Sequence, residues 1–362
     1  MNARIESVDI LRGLTIVAMI LVNTPGTWAH IYPPLLHAEW HGYTPTDLIF
    51  PFFLFIVGVS IAFAYQNKSP NVKTYQKIGV RSLKLIGLGL FLSAFLPYFP
   101  FIKDLSRLRF PGVLQRIGVV FFFAAILSLH FNWKILLGTV FILLFGYWIW
   151  LGFIPLPDGT LPTFDRATNN WANYVDVTFM KGHIWKKDYD PEGLLSTLPA
   201  IATSLIGVLI GKIMLHQKSM KTIKLFSLGA IMIGLGYVWN VWFPFNKAIW
   251  SSSFVLVTAG WATVFLSILY YINDVKKIAI GSIFKYVGSN AIVIFFASSF
   301  ITKVFYLTKV GDTTIHGWLY KTFFTSVISI DKLASLSYAL AVVSFYVLIA
   351  YILYKKRIFI KV

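Results

Sequence analysis

HAEWHGYTPTDLIFPFFLFIVG, His37 to Gly58, joins a polar, aromatic mouth to a long apolar run. Two histidines, His37 and His41, flank Glu39. Thr44-Pro45-Thr46-Asp47 reads as a helix start. Thr44 or Thr46 is the candidate cap, and an acid lies in the first turn, where the helix dipole favours negative charge. From Leu48 the residues stay apolar past Ala64, which approaches the roughly 20 residues needed to cross a bilayer as a helix. The stretch therefore predicts protonatable side chains at the mouth of a membrane helix.

Outward from it, the apolar pattern recurs. Segments near 9–28, 47–66, 78–97, 111–131, 134–154, 194–215, 223–243, 250–271, 284–305 and 333–354 all qualify as spans. The chain is 57% hydrophobic and only 13% charged, where a soluble domain carries about 25% charged residues. The fold class is an all-α integral membrane protein, a polytopic bundle of about ten transmembrane helices. An even number of spans puts both termini on one side, and Lys355-Lys356-Arg357 with Lys361 makes that side cytoplasmic. Lys68, Lys73 and Lys77, Lys218, Lys221 and Lys224, and Lys276 and Lys277 fall in loops on the same side. Lys103, Arg107, Lys186 and Lys187 fall on the other. The formal charge of +18 thus reflects membrane orientation. No basic stripe or soluble module points to nucleic acid, which is not an expected partner.

The absence of cysteine removes disulfides, thiolate nucleophiles and Cys-ligated metal. No cleavable signal is expected, because the first apolar run opens with Asp9 and Arg12 and lacks a small-residue cleavage pattern. No internal repeat of 20–50 residues is present. The organisation expected is one domain over 1–362, with an elaborated outer loop at 155–193 whose aromatics argue for order. Residues 310–330 read as an outer amphipathic or re-entrant segment.

On this topology the polar residues gather at the outer side. Asn23 closes the first span; His37, Glu39, His41 and Asp47 follow. Arg109 to Arg116 opens the fourth span, with Arg116 about two turns into the membrane. Asp188 to Gly193, including Asp190 and Glu192, opens the sixth. Asn240 ends the seventh, Asn246-Lys247 forms the outer turn, and Ser251 to Ser253 start the eighth. Ionisable groups in a bilayer cost about 2.5–3.5 kcal/mol each and usually face a cavity or a partner, so a polar, outward-opening pocket is expected. On the inner side Asp9 and Arg12 are i, i+3 neighbours, Arg81 and Lys84 repeat that spacing, and Lys285 stands near Ser289-Asn290. They read either as phosphate ligands or as a structural pair with snorkelling anchors.

Three readings compete for His37. It is an interfacial histidine bonded to backbone; or a metal ligand with His41, a spacing that works only on a helix, and a third ligand from Glu39 or a remote acid; or a general base oriented by Asp47 and Asn23. Composition and spacing leave all three open.

RIESVDILRGLTIVAMILVN at 4–23 and LLHAEWHGYTPTDLIFPFFLFIVG at 35–58 resemble the membrane core of the heparan-α-glucosaminide N-acetyltransferase family and its bacterial relatives. RFPGVLQRIG at 109–118, YDPEGLLSTLPAI at 189–201, FNKAIWSSSFVLVTAG at 245–260 and GSNA at 288–291 continue it in order, over nearly the whole chain. The resemblance implies a transmembrane acyltransferase that moves acetyl from cytoplasmic acetyl-CoA to an amino-sugar or sugar-hydroxyl acceptor on the outer side of an inner (plasma) membrane. It implies that His37 is catalytic and that Asn23 assists. The interval between them, Thr24 to Leu36, is longer than the family's. The luminal domain of the animal enzymes is expected to be absent, which points the acceptor away from heparan sulfate. The expected assignment has Asp47 orienting His37. Arg116, Asp190, Glu192, Asn246, Trp40 and His41 would meet the acceptor, and Arg12, Arg81, Lys84 and Asn290 the CoA. No metal is expected. The partners expected are the bilayer, acetyl-CoA and a glycan or amino-sugar acceptor, with a homodimer left open. Direct transfer and an acetyl-histidine intermediate both remain open.

The alternative from another class is a secondary transporter for an amino sugar or related metabolite. Transporters commonly repeat broken helices in matching halves; the breaks at Pro25, Pro51 and Pro199 do not fall so.

Overall fold

The computed structural model describes residues 5–216 and 220–360; Lys218 and Lys361, used above for orientation, lie outside the described residues. Among the described residues the regular structure is helical but for one two-stranded hairpin, Lys309–Val310 (β1) against Thr313–Thr314 (β2). In order the helices are α1 (Glu6–Asn23), α2 (Pro45–Tyr65), α3 (Val72–Ala94), α4 (Val113–His130), α5 (Trp133–Phe153), α6 (Trp171–Met180) and α7 (Thr197–His216). They continue with α8 (Lys221–Trp239), α9 (Ser252–Leu269), α10 (Ser282–Ser289), α11 (Ala291–Leu307), α12 (Ile315–Tyr320) and α13 (Asp331–Lys355).

Seven of these, α2, α4, α5, α7, α8, α9 and α13, are long and apolar enough to cross a membrane, with α9 running on through a π turn to Val275. The expected span at 284–305 is instead a broken pair, α10 and α11, bent by 81° at Asn290. The helices α1 and α3 cover the other two predicted segments. Their charges set them apart: Glu6, Asp9 and Arg12 in α1, and Lys73, Lys77, Arg81 and Lys84 in α3. The chain is a polytopic helical membrane protein.

In α2, Phe53, Leu54, Phe55 and Ile56 are all buried, as expected of a helix apolar on every face. It packs along α7, while α8 packs along α9, α1 against α10 and α3 against α4. Without a hydrophobic drive between helices in lipid, close backbone approach supplies the packing. At α2–α7, a Cβ on Gly58 would stand 1.9 Å from the Ser204 carbonyl oxygen, and one on Gly207 would stand 2.0 Å from that of Phe55. By contrast α8 turns Ile223, Ile231, Leu235 and Val238 outward, the face expected to meet lipid.

Two boundaries differ from the sequence reading. Pro111 and Gly112 delay α4 to Val113, so Arg116 lies in its first turn rather than two turns deep. Residues 188–196 stay non-helical until Thr197, so Asp190 and Glu192 belong to the connection between α6 and α7. The 310–330 stretch resolves into the hairpin, α12 and a π turn, and His316 Nε2 bonds the Gly26 carbonyl 2.9 Å away.

Candidate active site

Between α1 and α2 the chain is irregular apart from a single 3-10 turn at Pro33–Leu35, so His37 and His41 are not helix neighbours. Thr44 is the cap of α2 and Asp47 its N3 residue, in a capping-box arrangement. Asp47 is buried, and its Oδ2 accepts from the Thr44 and Ala38 amides at 2.9 and 3.0 Å. Its Oδ1 lies 2.6 Å from Nδ1 of His37, whose side chain is half exposed. With Nδ1–H donated to the carboxylate, Nε2 carries the lone pair, the tautomer that the hydrogen bond selects.

The turn between α8 and α9 adds a third group that the sequence reading passed over. Lys247 Nζ is 3.1 Å from His37 Nδ1, 3.3 Å from Nε2 and 3.6 Å from Asp47 Oδ1. Burial pushes its ammonium below the usual lysine range, with Asp47 opposing. Gly42 N donates to Phe245 O at 2.7 Å, which ties this turn to the His37 loop. The one available signal was FNKAIW, a lysine inside a string already matched.

The other expected outer residues lie elsewhere in the same region. His41 pairs with Asp165 at 2.8 Å, and Trp40 Nε1 donates to Phe164 O at 2.9 Å. The two histidines thus engage different acids on different segments, and both Trp40 and His41 hold down the outer connection. Asn23 ends α1 exposed and, among the described residues, makes no hydrogen bond with His37. Asn246 is buried: its Oδ1 accepts from Ile249 N at 3.0 Å.

Arg116, Asp190 and Glu192 are committed to one another's surroundings. Arg116 is buried, donates to Pro191 O, Gly193 O and Ser196 Oγ, and stacks 5.2 Å over Trp250. Arg109 makes a two-pronged pair with Asp190 and a third bond to Glu192 at 2.6 Å. Burial works against the Arg109 charge, but the two carboxylates outweigh it and push its pKa up. Asp176 on α6 accepts from Asp190 N and Leu194 N; burial raises its carboxyl to about 6 despite those bonds. This network folds the 155–196 connection over the mouth of α2.

At the other end of α2 a cavity of about 810 Å³ opens. All four residues expected at a CoA site, Arg12, Arg81, Lys84 and Asn290, line it, joined by Lys73 and Lys77. Lys73, Lys77, Arg81 and Lys84 follow a 4, 4, 3 spacing, one face of α3. Arg12 is held by Asp9, Ser60 and the Gly288 carbonyl. Asn290, at the break between α10 and α11, clamps the tail: its Nδ2 donates to Ile358 O and its Oδ1 accepts from Ile360 N. Asp47 and the cavity-lining residues Ser60 to Tyr65 are 13 to 18 positions apart on α2, roughly 20–27 Å, close to the ~30 Å of a bilayer core.

A family model described as "Heparan-alpha-glucosaminide N-acetyltransferase, catalytic" matches residues 4–238. Two curated relatives, both described as heparan-alpha-glucosaminide N-acetyltransferase, align over 99% of this chain. The human protein is 29% identical over 425 residues and the mouse protein 30% over 421. The chain spans about 60% of the length of each relative.

Proposed function

The chain belongs to the heparan-alpha-glucosaminide N-acetyltransferase family, and from that premise we propose that it moves acetyl from acetyl-CoA, bound in the basic cavity, to an amino-sugar or sugar-hydroxyl acceptor at the His37 mouth. The observation that carries this reading is the pairing of the two sites on one helix. A cluster able to move a proton, His37–Asp47, stands at one end of α2, and a cavity with five cationic side chains opens at the other. The charged nucleotide of CoA would stay with Arg12, Arg81 and Lys84 through charge-assisted bonds, and its thin arm would run along α2 toward His37. The tail clamped on Asn290 would close the cavity behind it.

Nε2 of His37 would take the acceptor's proton, and Asp47 would hold the ring and stabilise the imidazolium. Asn23, not bonded to the ring, would act on the acetyl group directly. The acceptor would enter beneath the outer connection, with Trp40 and His41 at its rim; Arg116, Asp190, Glu192 and Asn246 would shape that wall rather than touch the sugar. We read α1, α3 and the bent α10–α11 pair as spans, which makes ten. Both termini and the cavity then lie on the cytoplasmic side of the plasma membrane, in one domain. A transporter reading draws on the α10–α11 break, but among the described helices that is one bent pair without a counterpart in the other half.

Labelled acetyl-CoA and glucosamine, given to the purified protein and to His37→Ala, test the reading. Labelled N-acetylglucosamine is expected from the first and none from the second. Equal yields would remove His37 from the chemistry. A stoichiometric acetyl adduct on His37 without acceptor would replace direct transfer by a covalent intermediate.

A further inference from the structure

We infer that Lys247 is a catalytic residue, its ammonium placed to receive the oxygen of the thioester carbonyl as that oxygen takes on charge. The inference rests on His37 being the base of an acetyl transfer, and it assigns the group that the base alone leaves missing.

Asp47 does not need Lys247 as a partner. Its two oxygens already accept from His37, Ala38 N and Thr44 N, and Lys247 stands farther off at 3.6 Å. The ammonium comes closest to the imidazole, 3.1 Å from Nδ1 and 3.3 Å from Nε2. An acceptor whose N–H points at Nε2 brings the attacked carbonyl beside that nitrogen, within reach of the same ammonium. The turn presenting Lys247 is fixed in advance. Phe245 N donates to Asn240 Oδ1, Asn246 N to Ser251 Oγ, and Trp250 is held fully buried at φ 53°. Such a left-handed conformation is strained for a bulky residue and persists only where its surroundings over-determine it. Trp250 is pinned by edge contacts with Phe50 and Phe254 and by a bond from its Nε1 to Thr203 Oγ1.

In the step itself, the acceptor nitrogen bonds to the carbonyl carbon while its proton passes to His37 Nε2. The carbonyl π pair moves to oxygen, where Lys247 meets it. When that pair returns, the C–S bond breaks, and sulfur leaves with the bonding electrons and takes the proton from His37. Charges then pair two by two at the intermediate: imidazolium with Asp47, oxyanion with Lys247. A preorganised donor of this kind acts without reorganising at the moment of reaction.

The chain has no cysteine, so Lys247→Cys carries the only thiol, and 2-bromoethylamine converts it to a side chain that again ends in an ammonium. With acetyl-CoA and glucosamine as substrates, Lys247→Cys is expected to lose on the order of 10²–10³-fold in kcat with KM for acetyl-CoA nearly unchanged. Aminoethylation should return most of the lost rate. The groups facing the ammonium are His37 and Asp47 in contact, with Glu192 and Arg116 beyond. Transfer by the wild type should fall at alkaline pH as Lys247 deprotonates. In the aminoethylated protein, whose sulfur makes the ammonium more acidic, that fall should move to lower pH. A thermally native Lys247→Cys with close to wild-type kcat, or one whose rate aminoethylation leaves unchanged, overturns the assignment. His37→Ala separates the two ideas: activity retained there defeats the underlying reading, whereas its loss beside an active Lys247→Cys defeats only the lysine.

Discussion

Asp47 serves two structures at once. One oxygen closes the N-terminus of α2 and the other orients His37, so the residue that starts the helix also sets the imidazole tautomer. Asp47→Asn keeps the shape but can no longer hold Nδ1–H against a carboxylate. We expect kcat to fall by about 10²–10⁴-fold, by analogy with the loss of the acid in a hydrolase triad, with little change in KM, as initial rates would show. The acid in a Thr-Pro-Thr-Asp helix start was legible in the sequence, as was a histidine ten positions before it. Lys247 was not, because nothing in the spacing of residues 210 apart states that a turn after α8 folds back onto the α1–α2 loop. Arg116, Asp190 and Glu192 show the converse. Their charge suggested substrate contact; buried charges need partners, and in the structure these find them in one another's segments.

Among the elements, α3 carries the sharpest chemical signal: a cationic face turned to the cavity, Lys73, Lys77, Arg81 and Lys84. A charge-assisted bond contributes about 1.5–3 kcal/mol, so replacing Arg81 and Lys84 together with Gln should raise KM for acetyl-CoA by roughly tenfold or more. KM for the acceptor, whose proposed site is at the far end of α2, should stay unchanged; parallel titration of the two substrates checks this. The α2–α7 contact makes a different demand. Gly58→Val would drive its Cβ into the Ser204 carbonyl, and overpacking of this kind costs typically 1–3 kcal/mol, which a lowered thermal midpoint in detergent would report. Helix existence followed from apolar runs of the right length. The break at Asn290 did not, since Gly288-Ser289-Asn290 within an apolar stretch reads equally well as a straight span.

For the whole molecule, the outer connection folds around a buried acid with a consequence for pH. The Asp176 carboxyl titrates near about 6 when folded, against an ordinary 3.8. The folded state therefore binds more protons than the unfolded chain between about pH 4 and 6. Stability from this group is greatest below that window and falls as pH rises through it, by at most about 1.4 kcal/mol per pH unit. Thermal midpoints across pH 4 to 7 should show this slope in the wild type and lose it in Asp176→Asn. The proposed ten-span topology predicts that Thr160→Cys reacts with an impermeant thiol reagent on intact cells and Ser69→Cys only after permeabilisation. By itself the sequence determined that the chain is a polytopic helical bundle, because a bilayer accepts only segments that satisfy their own backbone and apolar length is local information. It also placed a cap, an acid and a histidine within eleven residues of one another at the start of α2. Only the tertiary structure decided that Lys247 joins them, that Arg12, Arg81, Lys84 and Asn290 share one cavity, and that Asp190 and Glu192 pair with Arg109. Each of these depends on which helix faces touch, and that is set by close packing between segments far apart in the chain.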